Sequence, residues 1–519
     1  MYIIHVATEL APIAKAGGLG DVIYGLSKEL CKLGHQVEII LPKFDCIDFS
    51  QVKNLKVEMR DLWSFDGPYR FNNTIWSAQV DGLKVNLIEP HHPDYFFSRG
   101  MIYGCPDDIN RFCYFSRTAM EYLFKSGKQP DALHLHDWPT ALIPVLYKEM
   151  YMALGYRTGG TVLTIHNLEH QGRCPPSQLS RVGLRGESYL TSEKMKDLHH
   201  PTLVNLLKGG IVYSDRITTV SPNYEKEILT QEGGFALEDT LKDHKRKLSG
   251  ILNGIDEVFW NPQSDHYLVK KYETHNVNTA EKLAQVLAGK KENRRHLRTH
   301  LRLEDSDRPI VASVTRLVPQ KGPQLIKAAL KRTLEKGGQF ILLGSSPIPE
   351  IHKEFELLQE KFKNDKRVAI LMDKDEALAH LIFAAADMFI IPSLFEPCGL
   401  TQMIALRYGT VPIVRMTGGL ADTVFDIETS LKPADERNGF TFDYPDEQGV
   451  CWALDRALDC FEKDPKRWHQ LMRNGMKEDF TWKRAARKYV EIYEQLKPPA
   501  VEEKIPVKET AFKKSLKLS

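Results

Sequence analysis

Residues 9–23 read ELAPIAKAGGLGDVI, and they follow the short apolar run YIIHVA at residues 2–7. The run has the length and composition of a buried strand, and the apolar residues after Gly20 recur with the period of a helix. The glycines therefore stand where a strand ends and a helix begins, with Lys15 just before them. Free backbone N–H groups and the helix dipole attract an anion to such a turn. Close packing of strand on helix is an equally good explanation for Gly-Gly-Leu-Gly, and this turn alone does not decide between the two.

Short apolar runs alternate with longer segments of helical period along the whole chain. In the first half the predicted strands are 2–7, 36–41, 84–89, 132–136, 161–166 and 216–221, and the predicted helices include 21–33, 107–125 and 139–154. The pattern restarts with strands at 309–315, 339–345, 367–372, 388–393 and 410–415. The alternation predicts an α/β protein with two doubly wound parallel sheets. The two halves join within 253–305, where a Lys/Arg/Glu-rich helix is expected at about 279–300.

Composition narrows the class of protein. A chain of 519 residues is expected to form two domains, and 42% hydrophobic with 27% charged residues is typical of a soluble globular protein. The net charge of +2 predicts neither nucleic acid nor an anionic membrane as a partner, and no apolar run is long enough to span a bilayer. The eight cysteines include no C-x-x-C pair, which argues against zinc sites and a disulfide framework. The N-terminus resembles a first strand, so we expect a cytoplasmic protein with reduced thiols.

Charged residues follow the predicted strands of the second half. Arg316 and Lys321 lie just past one strand, in SVTRLVPQKG. They suit a diphosphate, because guanidinium binds it bidentately and ammonium acts as a point charge, although an ordinary surface pair is the alternative. Glu396 follows another strand, in PSLFEPCGLTQ, where a carboxylate can accept hydrogen bonds from sugar hydroxyls. A second glycine turn, residues 417–419 of RMTGGLADTV, comes one unit later.

Polar residues also follow two strands of the first half. LHLHDWPT ends a strand with His136 and Asp137, and TIHNLEHQG ends another with His166 and Asn167. Ligands of open α/β sheets gather at the carboxyl ends of the strands. The sequence therefore predicts one polar site at these ends.

Six segments taken together resemble one enzyme family: KAGGLGD, HDWPT, TIHNLEHQG, TRLVPQKG, FEPCGLTQ and TGGLADTV. They are similar to bacterial glycogen synthase and plant starch synthase, retaining glucosyltransferases of family GT5. The resemblance covers about residues 1–495, including LNGIDEVFWNP at the domain join. It implies the GT-B architecture, in which two Rossmann-like domains face each other across a cleft. The implied parts are an N-terminal domain at 1–256, a nucleotide-sugar-binding domain at 257–481, a helix at 482–496 that crosses back, and a Lys-rich tail at 497–519 that we expect to be disordered.

The resemblance also implies roles for individual residues. Arg316 and Lys321 would hold the diphosphate, Glu396 would bind hydroxyls of the transferred glucose, and His166 would lie under the sugar ring. Asp137 would lie near the reacting carbon or the acceptor, with an electrostatic or positioning role. These five are the implied catalytic residues. The implied donor-binding residues are Lys15, Gly17, Gly18, Arg316, Lys321, Cys398, Gly399, Leu400, Thr401, Thr417, Gly418 and Gly419, and those of the acceptor side are Glu9, Asp21, His136 and Asn167.

Three positions carry alternatives. A helix N-terminus could lower the thiol pKa of Cys398, but we favour a small buried side chain without chemistry. Ile404 stands where many related transferases carry a second glutamate that holds the ribose. Lys374 stands where family members commonly carry a tyrosine against the nucleobase, and a lysine stem stacks less well than an aromatic ring. The nucleobase is therefore open between adenine and uracil.

The activity that the resemblance implies is retaining transfer of glucose from ADP-glucose to the non-reducing end of an α-1,4-glucan, with release of ADP. Glycogen or a maltooligosaccharide would be the primer. Neither a metal nor pyridoxal phosphate is expected. Arg316 and Lys321 can neutralise the departing diphosphate in place of a metal. A glucan synthase that uses UDP-glucose and an inactive glucan-binding regulatory paralogue are the alternatives.

Overall fold

The computed structural model describes residues 1–496 and contains two large sheets, which organise two domains, and one sheet of two short strands. The first domain holds β1 (Tyr2–Val6), β2 (Gln36–Pro42), β3 (Lys53–Asp66), β4 (Tyr69–Val80), β5 (Leu83–Pro90), β6 (Ala132–His136), β7 (Thr161–Ile165), β8 (Arg173–Cys174), β9 (Val204–Asn205), β10 (Arg216–Thr219) and β11 (Leu248–Gly250). The second holds β12 (Ile310–Val314), β13 (Gln339–Leu343), β14 (Val368–Leu371), β15 (Met388–Ile391), β16 (Val411–Arg415) and β17 (Phe440–Phe442).

Helices connect most of these strands. In the first half they are α1 (Gly18–Lys32), α2 (Asp108–Ser126), α3 (Ile143–Leu146), α4 (Ser177–Arg181), α5 (Leu206–Tyr213), α6 (Pro222–Glu227) and α7 (Glu238–Asp243). The remainder are α8 (Ala280–His300), α9 (Pro323–Glu335), α10 (Pro349–Phe362), α11 (Glu376–Ala385), α12 (Thr401–Arg407), α13 (Gly418–Thr423), α14 (Glu447–Lys463), α15 (Pro465–Lys477) and α16 (Trp482–Glu494). No helix within residues 1–496 is both long enough and apolar enough to span a membrane.

Both sheets reverse their winding direction at the first strand. The nine-stranded sheet has the order β11-β10-β7-β6-β1-β2-β5-β4-β3, and β1 pairs in parallel with β2 and β6. The six-stranded sheet has the order β14-β13-β12-β15-β16-β17, and β12 pairs in parallel with β13 and β15. Such reversals open a crevice at the carboxyl ends of the strands. The predicted α/β class with two doubly wound sheets is confirmed.

The hairpin of β3 and β4 was not predicted from the sequence. It adds two strands to one edge of the first sheet, with β4 antiparallel to both of its neighbours. Along β3 the buried positions include the polar Ser64 and Asp66, whereas Trp63 and Phe65 are 43% and 40% exposed. Because the usual polar and apolar faces are reversed here, the strand lacks the buried apolar pattern that would predict it.

The predicted helix at 139–154 is interrupted. A 3₁₀ turn at Trp138–Thr140 comes first, α3 follows, and a π-helical segment then spans Tyr147–Tyr151. Pro139 and Pro144 lie at the starts of the first two segments, and each lacks the N–H that a continuous helix would use. The apolar period therefore identified a buried helical region but not its breaks.

The last helix, α16, packs against the first domain. Its side chains Ala485, Tyr489 and Tyr493 are buried in one cluster with residues of β1 and α1. An added Cβ at Gly25 would lie 2.0 Å from the Trp482 ring nitrogen, so only glycine allows the two helices this close. The chain therefore begins and ends its described part in the same domain, and the Lys-rich segment predicted to be disordered lies outside the described residues.

Candidate active site

A cavity of about 800 Å³ lies between the carboxyl ends of the two sheets. It is lined by segments that follow β1, β6 and β7 of the first domain and β12 and β15 of the second, so both points of winding reversal contribute to it. Sixteen residues singled out from the sequence line this cavity: Glu9, Lys15, Gly17, Gly18, Asp21, Asp137, His166, Asn167, Arg316, Lys321, Glu396, Cys398, Gly399, Leu400, Thr401 and Ile404.

The first glycine turn is held by a carboxylate of the protein itself. The backbone N–H groups of Ala16 and Gly17 donate to Glu9 Oε2 at 2.7 and 2.8 Å. Tyr103 donates its hydroxyl to Glu9 Oε1 at 3.0 Å. Glu9 was predicted on the acceptor side; it lines the cavity but also fixes the turn that precedes α1. The helix starts at Gly18, three residues before the predicted start at residue 21.

The two domains approach each other closely at this turn. A Cβ built on Gly17 would lie 3.7 Å from Arg316 Nη2, and one on Gly18 would lie 3.7 Å from Leu400 Cδ1. Lys15 pairs with Asp21 at 2.8 Å, and both side chains remain partly exposed. The N-terminus of α1 and the cations of both domains therefore line one cavity, which suits an anionic ligand.

Asp137 combines a strained backbone with a shifted pKa. Its φ of 55° and ψ of −176° are unfavourable for a residue with a side chain. The backbone N–H groups of His166 and Asn167 donate to Asp137 Oδ1 at 2.7 and 3.3 Å. Burial nevertheless dominates and raises the carboxyl pKa to about 7, with a further contribution from the negative charge of Glu9. This carboxyl can therefore change its protonation state near neutral pH.

His166 lines the cavity, but His136 does not reach it. The imidazole of His136 is fully buried behind His166, and its Nδ1 lies 3.0 Å from His166 Nε2. This corrects the placement of His136 on the acceptor side. Because β6 and β7 are adjacent and parallel, the residues at their ends stack into the sheet, and His136 can influence a ligand only through His166.

Glu396 of the second domain is bound by Lys321 and Ser393. Lys321 Nζ lies 2.5 Å from Glu396 Oε2, and Ser393 donates its hydroxyl to the same oxygen at 2.8 Å. Arg316 is exposed to the cleft, and no ion pair within residues 1–496 engages it. Among the described residues Glu396 Oε1 makes no hydrogen bond, so it remains available to accept a hydroxyl from a ligand.

The second glycine turn does not line the cavity, which corrects the assignment of Thr417, Gly418 and Gly419 to the donor site. The N–H of Gly418 donates to Glu227 Oε1 at 2.8 Å, and Thr417 Oγ1 lies 3.2 Å from Glu227 Oε2. Cβ atoms on Gly418 and Gly419 would lie 2.0 Å from the carbonyl oxygens of Glu396 and Cys398. Packing, not ligand binding, therefore accounts for these glycines.

The contact between α6 and α13 is reciprocal. Glu227 at the end of α6 binds the first N–H of α13, and Asp422 of α13 accepts the Asn223 N–H at the start of α6 at 2.8 Å. Ser221 also donates its hydroxyl to the carbonyl oxygen of Pro397 at 2.7 Å. Each carboxylate stabilises the helix N-terminus of the other domain, which joins the two domains beside the cavity.

Cys398 has a buried thiol with a raised pKa. Its side chain is only 6% exposed, and burial raises the pKa to about 12. The possibility that the nearby helix lowers this pKa is therefore wrong, and the interpretation as a small buried side chain agrees with the structure.

Cys398 should resist alkylation. At about pH 8 we expect iodoacetamide to modify the exposed Cys31 and Cys46 at least tenfold faster than Cys398, because only the thiolate reacts and burial suppresses it. Timed peptide mapping by mass spectrometry measures the three rates. Modification of Cys398 first would contradict the buried position.

The cavity lining differs from the sequence prediction at Lys374 and at three further residues. Lys374 is exposed and does not line the cavity, so the structure gives it no contact there. The cavity wall also contains Tyr103, Asn253 and Trp260, for which no role was predicted from the sequence. Asn253 and Trp260 lie within the LNGIDEVFWNP segment, and their position in that quoted motif was the signal that could have identified them.

One group of side chains in the described part has the composition of a metal site. One ring nitrogen from each of His5, His134 and His136 lies within 4.8 Å of the other two, and all three side chains are fully buried. Both nitrogens of His134 are already engaged, by Tyr493 OH at 2.7 Å and by Thr164 Oγ1 at 2.6 Å. A metal there would displace these hydrogen bonds, so the residues fit a metal poorly.

Known proteins match the whole described chain. The family described as starch synthase catalytic domain matches residues 2–243, and glycosyl transferases group 1 matches residues 301–477. Glycogen synthase of Protochlamydia amoebophila is 51% identical over 96% of this chain and 99% of its own length, and glycogen synthase 2 of Methylococcus capsulatus is 46% identical over 95% and 99%. The solved catalytic domain of starch synthase IV from Arabidopsis thaliana, bound to ADP and acarbose, is 47% identical with a TM-score of 0.89 and covers 95% of this chain and 98% of that one.

Proposed function

Because the chain belongs to the family of bacterial glycogen synthases and plant starch synthases, we propose that it transfers glucose from ADP-glucose to the non-reducing end of an α-1,4-glucan, releasing ADP and retaining the anomeric configuration. The chain is a glycosyltransferase. ADP as the leaving group is supported by the starch synthase IV domain, which was solved with ADP.

The observation that carries this proposal is the position of Arg316 opposite the glycine turn. The Arg316 guanidinium of the second domain would lie 3.7 Å from a Cβ built on Gly17 of the first, and the Lys321–Glu396 pair lines the same cavity. Cations, the N-terminus of α1 and a carboxylate thus line a cavity of about 800 Å³. A sugar diphosphate carries the matching groups, namely two phosphates and several hydroxyls.

In the proposed reaction the bond between the glucose C1 and the diphosphate oxygen breaks, and its electron pair leaves with ADP. Negative charge grows on that oxygen, so Arg316 and Lys321 bind the transition state more strongly than the ground state. The acceptor hydroxyl attacks from the same face, and its proton passes to the departing phosphate. We propose that these side chains neutralise the charge without a metal.

Three groups would act on the sugar. Glu396 Oε1 would accept hydrogen bonds from hydroxyls of the transferred glucose, while Oε2 continues to accept those of Lys321 and Ser393. Asp137, when ionised, would stabilise the positive charge that develops at the reacting carbon, because opposite charges attract strongly in a cavity with little water. His166 would contact the sugar from the same wall of the cavity.

The donor is tested by comparing turnover of ADP-, UDP- and GDP-glucose with glycogen as primer. We expect release of ADP from ADP-glucose that depends on glycogen or a maltooligosaccharide, and at least tenfold lower kcat/KM with UDP-glucose. An equal or larger rate with UDP-glucose would assign the other nucleotide. Absence of turnover with both donors and a good primer would favour an inactive glucan-binding protein and overturn the proposal.

A further inference from the structure

Three imidazoles form a line from the cavity into the first sheet. His166 lines the cavity, His136 ends β6 behind it, and His5 lies on β1 behind that. His136 Nδ1 lies 3.0 Å from His166 Nε2, and His5 Nδ1 lies 3.0 Å from His136 Nε2. The neighbouring positions of β7, β6 and β1 in the sheet create this line.

Burial favours the neutral form of all three rings at physiological pH. Burial lowers the pKa of His5 and of His166 to about 3, and it holds the pKa of His136 well below its usual value. A neutral imidazole has one N–H and one lone pair. Each hydrogen bond in the line needs one of each, so the protons of all three rings must point in the same direction along it.

The direction of the N–H donors along the line follows from its inner end, at His5. His5 Nε2 is buried and has no hydrogen-bond partner within residues 1–496. A buried N–H without an acceptor is rarer than an under-used acceptor, so the proton of His5 belongs on Nδ1. His5 then donates to His136 Nε2, and His136 donates through Nδ1 to His166 Nε2.

We propose that His136, supported by His5, is a positioning residue that holds His166 in its Nδ1-protonated tautomer. His166 then presents an N–H donor, not a lone pair, towards the cavity, where its Nδ1 has no partner among the described residues. The ligand group that fits this donor is a hydroxyl oxygen of a sugar. Only this last step rests on the proposed function, because the tautomer follows from the protein alone.

His134 provides a matched comparison. It lies two residues before His136 on the same strand, is equally buried, and has its ring centroid 4.2 Å from that of His136. Its hydrogen bonds go to Tyr493 and Thr164, outside the line. Replacement of His134 therefore removes as much buried polar surface without touching His166.

The tautomer can be measured directly on the full chain without substrate. In protein labelled with ¹⁵N-histidine, long-range ¹H–¹⁵N correlations distinguish the two neutral tautomers, and the His166→Gln spectrum assigns the His166 signals. We expect protonation at Nδ1 of His166. Protonation at Nε2, or a charged ring near neutral pH, would overturn the proposal. This result does not depend on turnover, so it is separate from a failure of the proposed donor.

Steady-state kinetics of variants test whether His136 supports turnover through His166. We expect His136→Leu to lower kcat by 10- to 100-fold, with KM for ADP-glucose unchanged within threefold, because orienting partners of a histidine have effects of roughly this size. His136→Asn should recover at least threefold of this loss, since its amide can donate from the Nδ1 position. His134→Leu should keep kcat within threefold. An equal loss of kcat in His134→Leu and His136→Leu would overturn the positioning role, and if His136→Leu does not fold, His136→Asn and the wild-type spectrum carry the test.

Discussion

Replacement of Arg316 by alanine should lower kcat for glucose transfer by about a thousandfold, because one donor aimed at a developing oxyanion is typically worth about 3 to 4 kcal/mol. Arg316 is the cation that lies opposite Gly17 and has no carboxylate partner within residues 1–496. Its full charge is therefore available to the leaving diphosphate. Since that charge grows in the transition state, the loss should fall on kcat more than on KM.

Two further variants define the effect. Arg316→Lys keeps the charge but loses the bidentate geometry, and we expect an intermediate loss of about 10- to 100-fold. Arg295→Ala is the control, because Arg295 is 72% exposed on α8 and does not line the cavity. It should keep wild-type activity. The melting temperature and the affinity for glycogen should be unchanged in Arg316→Ala, and a loss of kcat below tenfold would contradict its role at the diphosphate.

The residues of the cavity could be predicted because the rule for parallel strands is local. Asp137 and Arg316 come directly after apolar runs and Glu396 comes three residues after one. The carboxyl ends of parallel strands share one edge of a sheet. Knowing where each strand ends was enough to bring these side chains to an edge. That the edges of the two sheets face one shared cleft was predicted only from the resemblance to a family.

The partners of the two glycine turns could not be predicted in the same way. Gly17 is bound by Glu9 and Gly418 by Glu227, and the second contact joins residues of different domains. The relative orientation of two domains cannot be predicted from a short sequence segment. A glycine turn therefore predicts an anion-binding position, but not whether the anion is a ligand or a carboxylate of the protein. The structure shows that a protein carboxylate satisfies an amide of each turn, and that only the first turn also lines the cavity.

Replacement of Asp137 by asparagine should make the protein more stable and far less active. Asparagine can still accept from the His166 and Asn167 N–H groups, but it removes the charge that burial makes costly. We expect kcat to fall by about 100- to 1,000-fold, in line with the loss of one electrostatic group in a preorganised site. The wild-type kcat/KM should rise with pH through about 7, where this carboxyl ionises in the free enzyme, and the variant should lack that rise.

The stability change has a definite pH dependence. The carboxyl pKa is near 4 in the unfolded chain and about 7 in the folded one, so the folded state binds more protons between these values. Wild-type stability therefore falls as the pH rises from about 4 to 7, and the full penalty persists above that range. Because the Asp137 side chain keeps some contact with the open cavity, we expect this loss of folding stability to be on the order of 2 kcal/mol. The melting temperature of Asp137→Asn should exceed that of the wild type by more at about pH 8 than at pH 5, and a difference independent of pH would contradict the raised pKa.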